Sequence, residues 1–228
     1  MEIIEGIHRI DEASSNMAHS NVYLVINGKD LVVVDTGMSG NAKKIVKYIE
    51  KIGHQPTEVS TIVLTHYHMD HAGSAKDLKD LTKAKIAVQA EDADIVAGKK
   101  SPPKAKSVLM RAVSSLNKPK PVDVDTILND GDKIGSLTVV ATPGHSPGSI
   151  ALLDEQRKVL FAGDTLRSDG TKVTGAPAQF TWDTEKENQS IQKISMLNFD
   201  VMLPGHGEIL KTNASNAVKE YYASIQKV

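Results

Sequence analysis

Four side chains able to hold a metal ion crowd into six residues, His66, His68, Asp70 and His71 within Thr65-His66-Tyr67-His68-Met69-Asp70-His71, directly after the apolar run Thr61 to Leu64. A turn leaving a buried strand can aim His66 and His68 to one side. Asp70 and His71, entering the next helix, then reach a second point a few ångströms away. Two neighbouring ions need this arrangement, and two-metal sites hold their ions roughly 3.5–4 Å apart. Such a cluster constrains the chain to a fold that brings further ligands to the end of the same strand.

Three candidates recur where a strand is expected to end: His145 in Thr142-Pro143-Gly144-His145-Ser146, Asp164 in Phe161-Ala162-Gly163-Asp164-Thr165, and His206 in Leu203-Pro204-Gly205-His206-Gly207. Their glycines let the backbone approach a metal closely. The chain has no cysteine, which excludes disulfides, thiolate metal sites and cysteine nucleophiles together. Histidine and carboxylate remain, the ligand types that suit zinc and similar divalent ions. Isolated histidines, His8, His19 and His54, are expected to stay outside the constellation.

The hydrophobic patterning gives the frame that would gather these residues. Ile3 to Ile10, Asn21 to Ile26 and Leu31 to Asp35 are rich in β-branched residues and separated by turn clusters, so they read as antiparallel strands. Helical spacing predicts a helix over Ala42 to Ile52, a buried strand over Thr61 to Leu64, a helix from Asp70 to about Leu81, a strand over Ile86 to Gln89 and a short helix from Glu91 to Val96. Closely spaced strands follow at Leu137 to Ala141, Ser149 to Leu153 and Val159 to Ala162. A helix over Asp183 to Leu197, a strand over Val201 to Leu203 and a helix over Ala214 to Ile225 complete the pattern. The expected fold class is α/β, an αββα sandwich of two mixed β-sheets flanked by helices. At 228 residues a single domain spanning 1–228 is expected.

Residues 98–122 differ from the rest, carrying Lys99, Lys100, Lys104, Lys106, Arg111, Lys118 and Lys120 with no acidic residue. They read as a basic flap inserted into the domain, with Val108, Leu109, Met110, Val113 and Leu116 as the apolar side of a short amphipathic helix. The net charge of −1 gives no global field toward nucleic acid or an anionic membrane. A small-molecule substrate, anionic if the flap and Arg167 contact it, is the expected partner, and neither nucleic acid nor a membrane is expected to be one. The N-terminus lacks the basic start and apolar run of a signal peptide, so a cytoplasmic location is expected and the sequons at Asn188 and Asn213 carry little weight.

The combination HxHxDH, TPGH, GDT and PGHG resembles the metallo-β-lactamase superfamily across nearly the whole chain. The resemblance implies that His66, His68 and His145 bind one ion, that Asp70, His71 and His206 bind the other, and that Asp164 bridges both. Asp35, in Val34-Asp35-Thr36-Gly37, matches the family's Asp-Thr-Gly and would orient the ligand loops. The implied cofactors are two divalent metal ions, zinc first, with iron or manganese as alternatives. The implied activity is hydrolysis of an ester, thioester, lactone or phosphodiester by a hydroxide held between the ions. Asp70, if it faces that hydroxide, is expected to act as a catalytic proton carrier, and Arg167, three residues past Asp164, is expected to bind an anionic group of the substrate with its planar fork.

Subgroup features narrow this. The β-lactamase subgroups generally lack a bridging aspartate and one uses a cysteine, so Asp164 and the absence of cysteine point toward the glyoxalase II and lactonase branch. Glyoxalase II has a helical extension for glutathione, which the short tail after His206 does not match, and the quorum-quenching lactonases place a tyrosine where Arg167 stands. The alternatives are a mononuclear iron enzyme similar to the persulfide dioxygenases, or a phosphodiesterase similar to the nucleases of the same fold.

Overall fold

Strands that are apolar at successive positions need cover on both faces, and that need sets the architecture of this chain. The computed structural model describes residues 1–11, 20–103 and 119–226. Among these, one sheet has the spatial order β1 (Glu2–Ile4), β2 (Ile7–Arg9), β3 (Tyr23–Asn27), β4 (Asp30–Val34), β5 (Val59–Val63), β6 (Lys85–Gln89) and β7 (Thr126–Leu128). Its first four strands pair antiparallel, and β4 through β7 pair parallel. The second sheet is built from β8 (Lys133–Ile134), β9 (Leu137–Ala141), β10 (Ile150–Asp154), β11 (Val159–Gly163) and a strand contributed late in the chain, β14 (Val201–Pro204), which pairs parallel to β11. A small third sheet joins β12 (Leu166–Asp169) to β13 (Val173–Gly175) and β15 (Gly207–Glu208).

Period-two alternation divides each strand between two cores. In β4, Val32 and Val34 face inward with Val63 of the neighbouring β5 and share a core with Ile150, Leu152, Val159 and Phe161 of the facing sheet. Leu31 and Val33 point the other way, onto α1 (Ala42–Lys51) through Ile45 and Ile49, and onto α3 (Ala75–Thr82) through Leu78. The second sheet does the same: Ala151, Leu153, Leu160 and Ala162 turn outward to meet Ile191 and Ile194 of α5 (Thr184–Ser195) and Val218 of α6 (Ala214–Ile225). The result is helix, sheet, sheet, helix, the α/β sandwich expected from the patterning. Each fully buried Val, Leu or Ile contributes about 1.5–3 kcal/mol relative to exposure, so the three cores are the main source of stability.

The structure corrects several boundaries. The helix expected from Asp70 to Leu81 is two, α2 (Met69–Ala72) and α3, broken at Gly73-Ser74. A Cβ at Gly73 would collide with the carbonyl of Met69 and the backbone of Ser39, and Ser74 Oγ donates to the Met38 carbonyl at 2.6 Å. This tight seam against residues 37–41 ends the first turn, so Asp70 and His71 are fixed separately from the longer helix. The strand expected over Ile3 to Ile10 is likewise two strands turning at Glu5-Gly6. Strands β7, β8, β12, β13 and β15 are too short for alternation to reveal them. Of the basic flap, residues 104–118 lie outside the described residues; Lys120 at its far end pairs with Asp77 at 2.8 Å. Among the described residues no helix is long and apolar enough to cross a membrane.

Candidate metal centre

Strands β4, β5, β9, β11 and β14 all end at one rim of the sandwich, the end at which α/β sheets ordinarily present binding groups. Asp35 follows β4, Thr65 and His66 follow β5, His145 follows β9, Asp164 closes β11 and His206 follows β14. All seven proposed ligands therefore meet. His66, His68 and His145 offer ligand atoms within 4.8 Å of one another, as do Asp70, His71 and His206, and a further group joins His66, His71 and Asp164.

The two triads are held differently. His68 Nδ1 faces His145 Nε2 at 2.9 Å, and His66 Nδ1 lies 3.1 Å from Thr65 Oγ1, which leaves His66 Nε2 buried with no hydrogen-bond partner. In the second triad His206 Nε2 lies 2.9 Å from Asp70 Oδ2 and 3.4 Å from His71 Nε2. Asp164 sits between the two, with Oδ1 3.3 Å from His71 Nε2, and Oδ2 3.5 Å from His145 Nε2 and 3.4 Å from His206 Nε2. Its Oδ1 is also buried and makes no well-aligned hydrogen bond, although His71 Nε2 is near. A Cβ at Gly205 would strike Asp164 Oδ1 and His71 Cε1, so only glycine lets His206 close the cluster.

Buried polar atoms with no partner, such as His66 Nε2 and Asp164 Oδ1, are costly. Divalent ions would satisfy them. Neutral imidazole nitrogens and carboxylate oxygens in sets of three, converging on adjacent points, are the donor set such ions require, and these residues fit the group.

Behind the donors stand two buried carboxylates. Asp35 accepts from the Thr65 amide at 2.8 Å and from Thr65 Oγ1 at 2.8 Å, and its Oδ2 is 2.8 Å from His71 Nδ1, which directs the other ring nitrogen at the cluster. Asp35 holds a left-handed backbone conformation at φ 58°, a conformation uncommon for a residue other than glycine and found at sites where geometry is over-determined. Thr36 adds amide and hydroxyl donors to the His71 carbonyl, each at 2.7 Å. Ser20 Oγ donates to the Asp70 carbonyl.

The second carboxylate, Asp92, was not among the residues expected from the sequence. It lies in α4 (Ala90–Val96), is fully buried, and accepts from the Tyr67 amide at 3.1 Å, Ser146 Oγ at 2.8 Å and the Gly148 amide at 2.8 Å. Tyr67 lies between His66 and His68, and Ser146 follows His145, so Asp92 joins the two loops that supply the first triad. Its only sequence signal was an acidic residue beside the buried positions Ala93 and Val96. Acidic residues at helix starts are ordinary, so that signal did not distinguish it.

Charge follows this division. Burial pushes His68 down to about 4 and His145 down to about 3, and holds His66 well below the usual imidazole value, so the first triad is neutral near pH 7. Burial also opposes a charge on His71, but Asp35, Asp164 and Asp70 outweigh it and hold that ring well above its usual value. Asp70 and Asp164 are desolvated, yet the neighbouring His71 and the other histidines keep both below the ordinary carboxylate range. Burial pushes Asp92 up to about 6 despite its three donors.

Arg167, expected to hold substrate, lies in β12 with Nη2 3.1 Å from Asp164 Oδ2 and about a quarter of its side chain exposed. It thus reaches the cluster through the shared carboxylate. His8 stays apart, against the Tyr48 hydroxyl at 3.0 Å, and His54 pairs with Glu58 at 2.6 Å. His19 lies outside the described residues.

The family model described as "Metallo-beta-lactamase superfamily" matches residues 17–206. The chain belongs to the metallo-beta-lactamase superfamily. It is 28% identical over 227 residues to the probable metallo-hydrolase YflN of Bacillus subtilis, covering 90% of this chain and 85% of that protein. It is 26% identical to the thioesterase pkgB of Emericella nidulans, covering 86% of this chain and 48% of that protein. Among solved structures, a metallo-beta-lactamase of Cronobacter sakazakii with a HARLDQ motif superposes with a TM-score of 0.75 at 21% identity, covering 100% of this chain and 92% of that one. At that identity the likeness concerns the fold.

Proposed function

We propose that this chain is a metal-dependent hydrolase that cleaves an acyl bond, a thioester or related ester, with two divalent ions as cofactors and zinc as the first choice. The observation that carries the reading is the meeting of two ligand triads around one shared carboxylate, Asp164, with buried donor atoms left open toward each other. The names of two relatives, a probable metallo-hydrolase and a thioesterase, support the same direction. Bound at such a centre, divalent ions supply a water-derived nucleophile near neutral pH and polarise the scissile carbonyl.

The chain's own residues do the rest. His66, His68 and His145 would hold one ion and Asp70, His71 and His206 the other, with Asp164 common to both. Asp35 and Thr65 fix the rings of His71 and His66, while Asp92 fixes the loops beneath the first triad. Asp70 is ionised and about a quarter exposed at the rim, so its carboxylate can take a proton from the attacking water and pass it to the leaving group. Arg167, anchored on Asp164, offers the remaining edge of its guanidinium to an anionic group of a small-molecule substrate.

The test is a panel of acyl thioesters, aryl esters, lactones and phosphodiesters offered to the purified, zinc-loaded chain. Thioester or ester hydrolysis that a chelator abolishes and zinc restores is expected. A chain that binds a single iron and consumes oxygen with a persulfide substrate, or cleaves only phosphodiesters, would overturn the reading.

A further inference from the structure

Beside the His145 loop lies a cavity of about 340 Å³ that the proposed mechanism does not use, within the size range of small-molecule sites. Pro143 and Pro147, two residues either side of His145, form part of its wall, and Trp182 forms another. The Trp182 amide donates to the His145 carbonyl at 3.2 Å and the Asp183 amide to the Gly144 carbonyl at 2.9 Å, so this wall is tied to a proposed metal ligand. Asp183 also caps α5 through the amides of Glu185 and Lys186, each at 3.1 Å, which sets the start of the helix against the cavity.

The lining has a definite chemistry. The indole is planar, and the two proline rings beside it are rigid and apolar. Lys186 Nζ lies over the Trp182 ring at 4.8 Å from its centre, and among the described residues it takes part in no ion pair. Glu91, also in the lining, is likewise outside any ion pair among the described residues, and Gln89 Oε1 accepts the Glu91 amide at 2.6 Å, which leaves the side-chain NH2 of Gln89 as a donor without a partner among the described residues. A lining that joins an indole and two proline rings to an ammonium, an amide donor and a carboxylate suits a planar ring bearing oxygens. A flexible saturated chain would leave these polar groups without partners.

We propose that this cavity is a substrate subsite for a planar, oxygen-bearing aromatic group, the aryl acyl part of the ester or thioester cleaved at the neighbouring centre. The proposal rests on the hydrolase reading for its link to turnover, but its test does not. Trp182 is the only tryptophan of the chain, so its fluorescence reports on the cavity directly. The zinc-loaded chain is titrated with 6-hydroxy-2-naphthoate and, separately, with octanoate. The naphthoate should change Trp182 emission saturably and octanoate should not. Lys186→Met should weaken naphthoate binding roughly tenfold, as expected for loss of a hydrogen bond to a charged group, and Glu91→Gln less. With a 6-hydroxy-2-naphthoyl thioester, Lys186→Met should raise KM and keep kcat. No saturable change, an equal response to octanoate, or unchanged affinity in the Lys186 variant would each overturn the subsite. A saturable, Lys186-dependent response in a chain that hydrolyses nothing would uphold the subsite and remove the hydrolase reading. Hydrolysis without any Trp182 response would do the reverse.

Discussion

The two ligand triads lie side by side yet solve the same electrostatic problem in opposite ways. His66, His68 and His145 are packed without a carboxylate of their own beyond the shared Asp164, and burial keeps them neutral. His71 is ringed by Asp35, Asp70 and Asp164, and these carboxylates hold a proton on it well above the usual pH range of imidazole. One half would therefore meet an ion with its lone pairs free, and the other would have to exchange a proton for the ion. The supporting carboxylates differ accordingly, since Asp35 touches a ligand ring itself whereas Asp92 touches only the backbone and hydroxyl groups around its ligands.

The most drastic way to break the contrast is to remove what the halves share. Asp164→Ala should lose bound metal and drop hydrolysis to background, measured by elemental analysis and steady-state assay on the same preparation; full activity with two bound ions would end the bridging assignment. Separating the halves is the next test. Asp35→Asn should weaken the ion held with His71 by about 10–100-fold, the usual cost of losing an outer partner of a metal ligand, and Asp92→Ala should do the same for the ion held by His66, His68 and His145. Competition with a metal-sensitive dye would resolve the two, and equal losses at both ions in either variant would erase the distinction drawn between them.

Stability of the metal-free chain provides a gentler probe. Unfolded histidines titrate near pH 6.5, whereas His68 and His145 resist protonation down to about 4 and about 3 when folded. Between those values the unfolded chain binds more protons, so this contribution to stability is present above about 6.5 and is lost as pH falls toward 4. His71 has the opposite sign, because its raised value stabilises the fold below about 6.5 and is lost as pH rises through the folded value. Tm measured against pH should fall on the acid side, and His68→Ala should flatten that acid slope; an unchanged slope would mean that this imidazole is not held neutral by burial. The smallest effect is expected for Arg167→Met, a severalfold rise in KM for anionic substrates with little change for neutral ones, since one edge of the guanidinium is already engaged by Asp164.

The residues that meet at the rim were legible because each sits in a strand-ending segment with a characteristic neighbour, HxHxDH, TPGH, GDT or PGHG. The four-layer arrangement followed from apolar runs such as Leu31 to Val34 and Val159 to Ala162, which need cover on both faces. Other features depend on contacts distant in sequence. Asp92 meets Gly148, 56 positions away, and nothing local sets it apart from Glu91 or Asp94. Gly73 ends α2 because its surface meets residues 37–39, a packing that helical periodicity does not encode. Trp182 reads locally as one aromatic residue ahead of a helix cap, and its position against the His145 loop appears only when β13 and α5 are in place.

Zinc bound per chain, counted by elemental analysis after equilibrium dialysis across a pH series, tests the account most directly. Protons compete with metals for ligands, and only the second triad contains an imidazole held protonated near neutral pH. Two ions per chain are expected at mildly alkaline pH, with one leaving first as pH falls and the other persisting on His66, His68 and His145 until well below pH 6. A single ion at every pH, or two ions lost together in one step, would contradict a centre built from a neutral half and an acidic half.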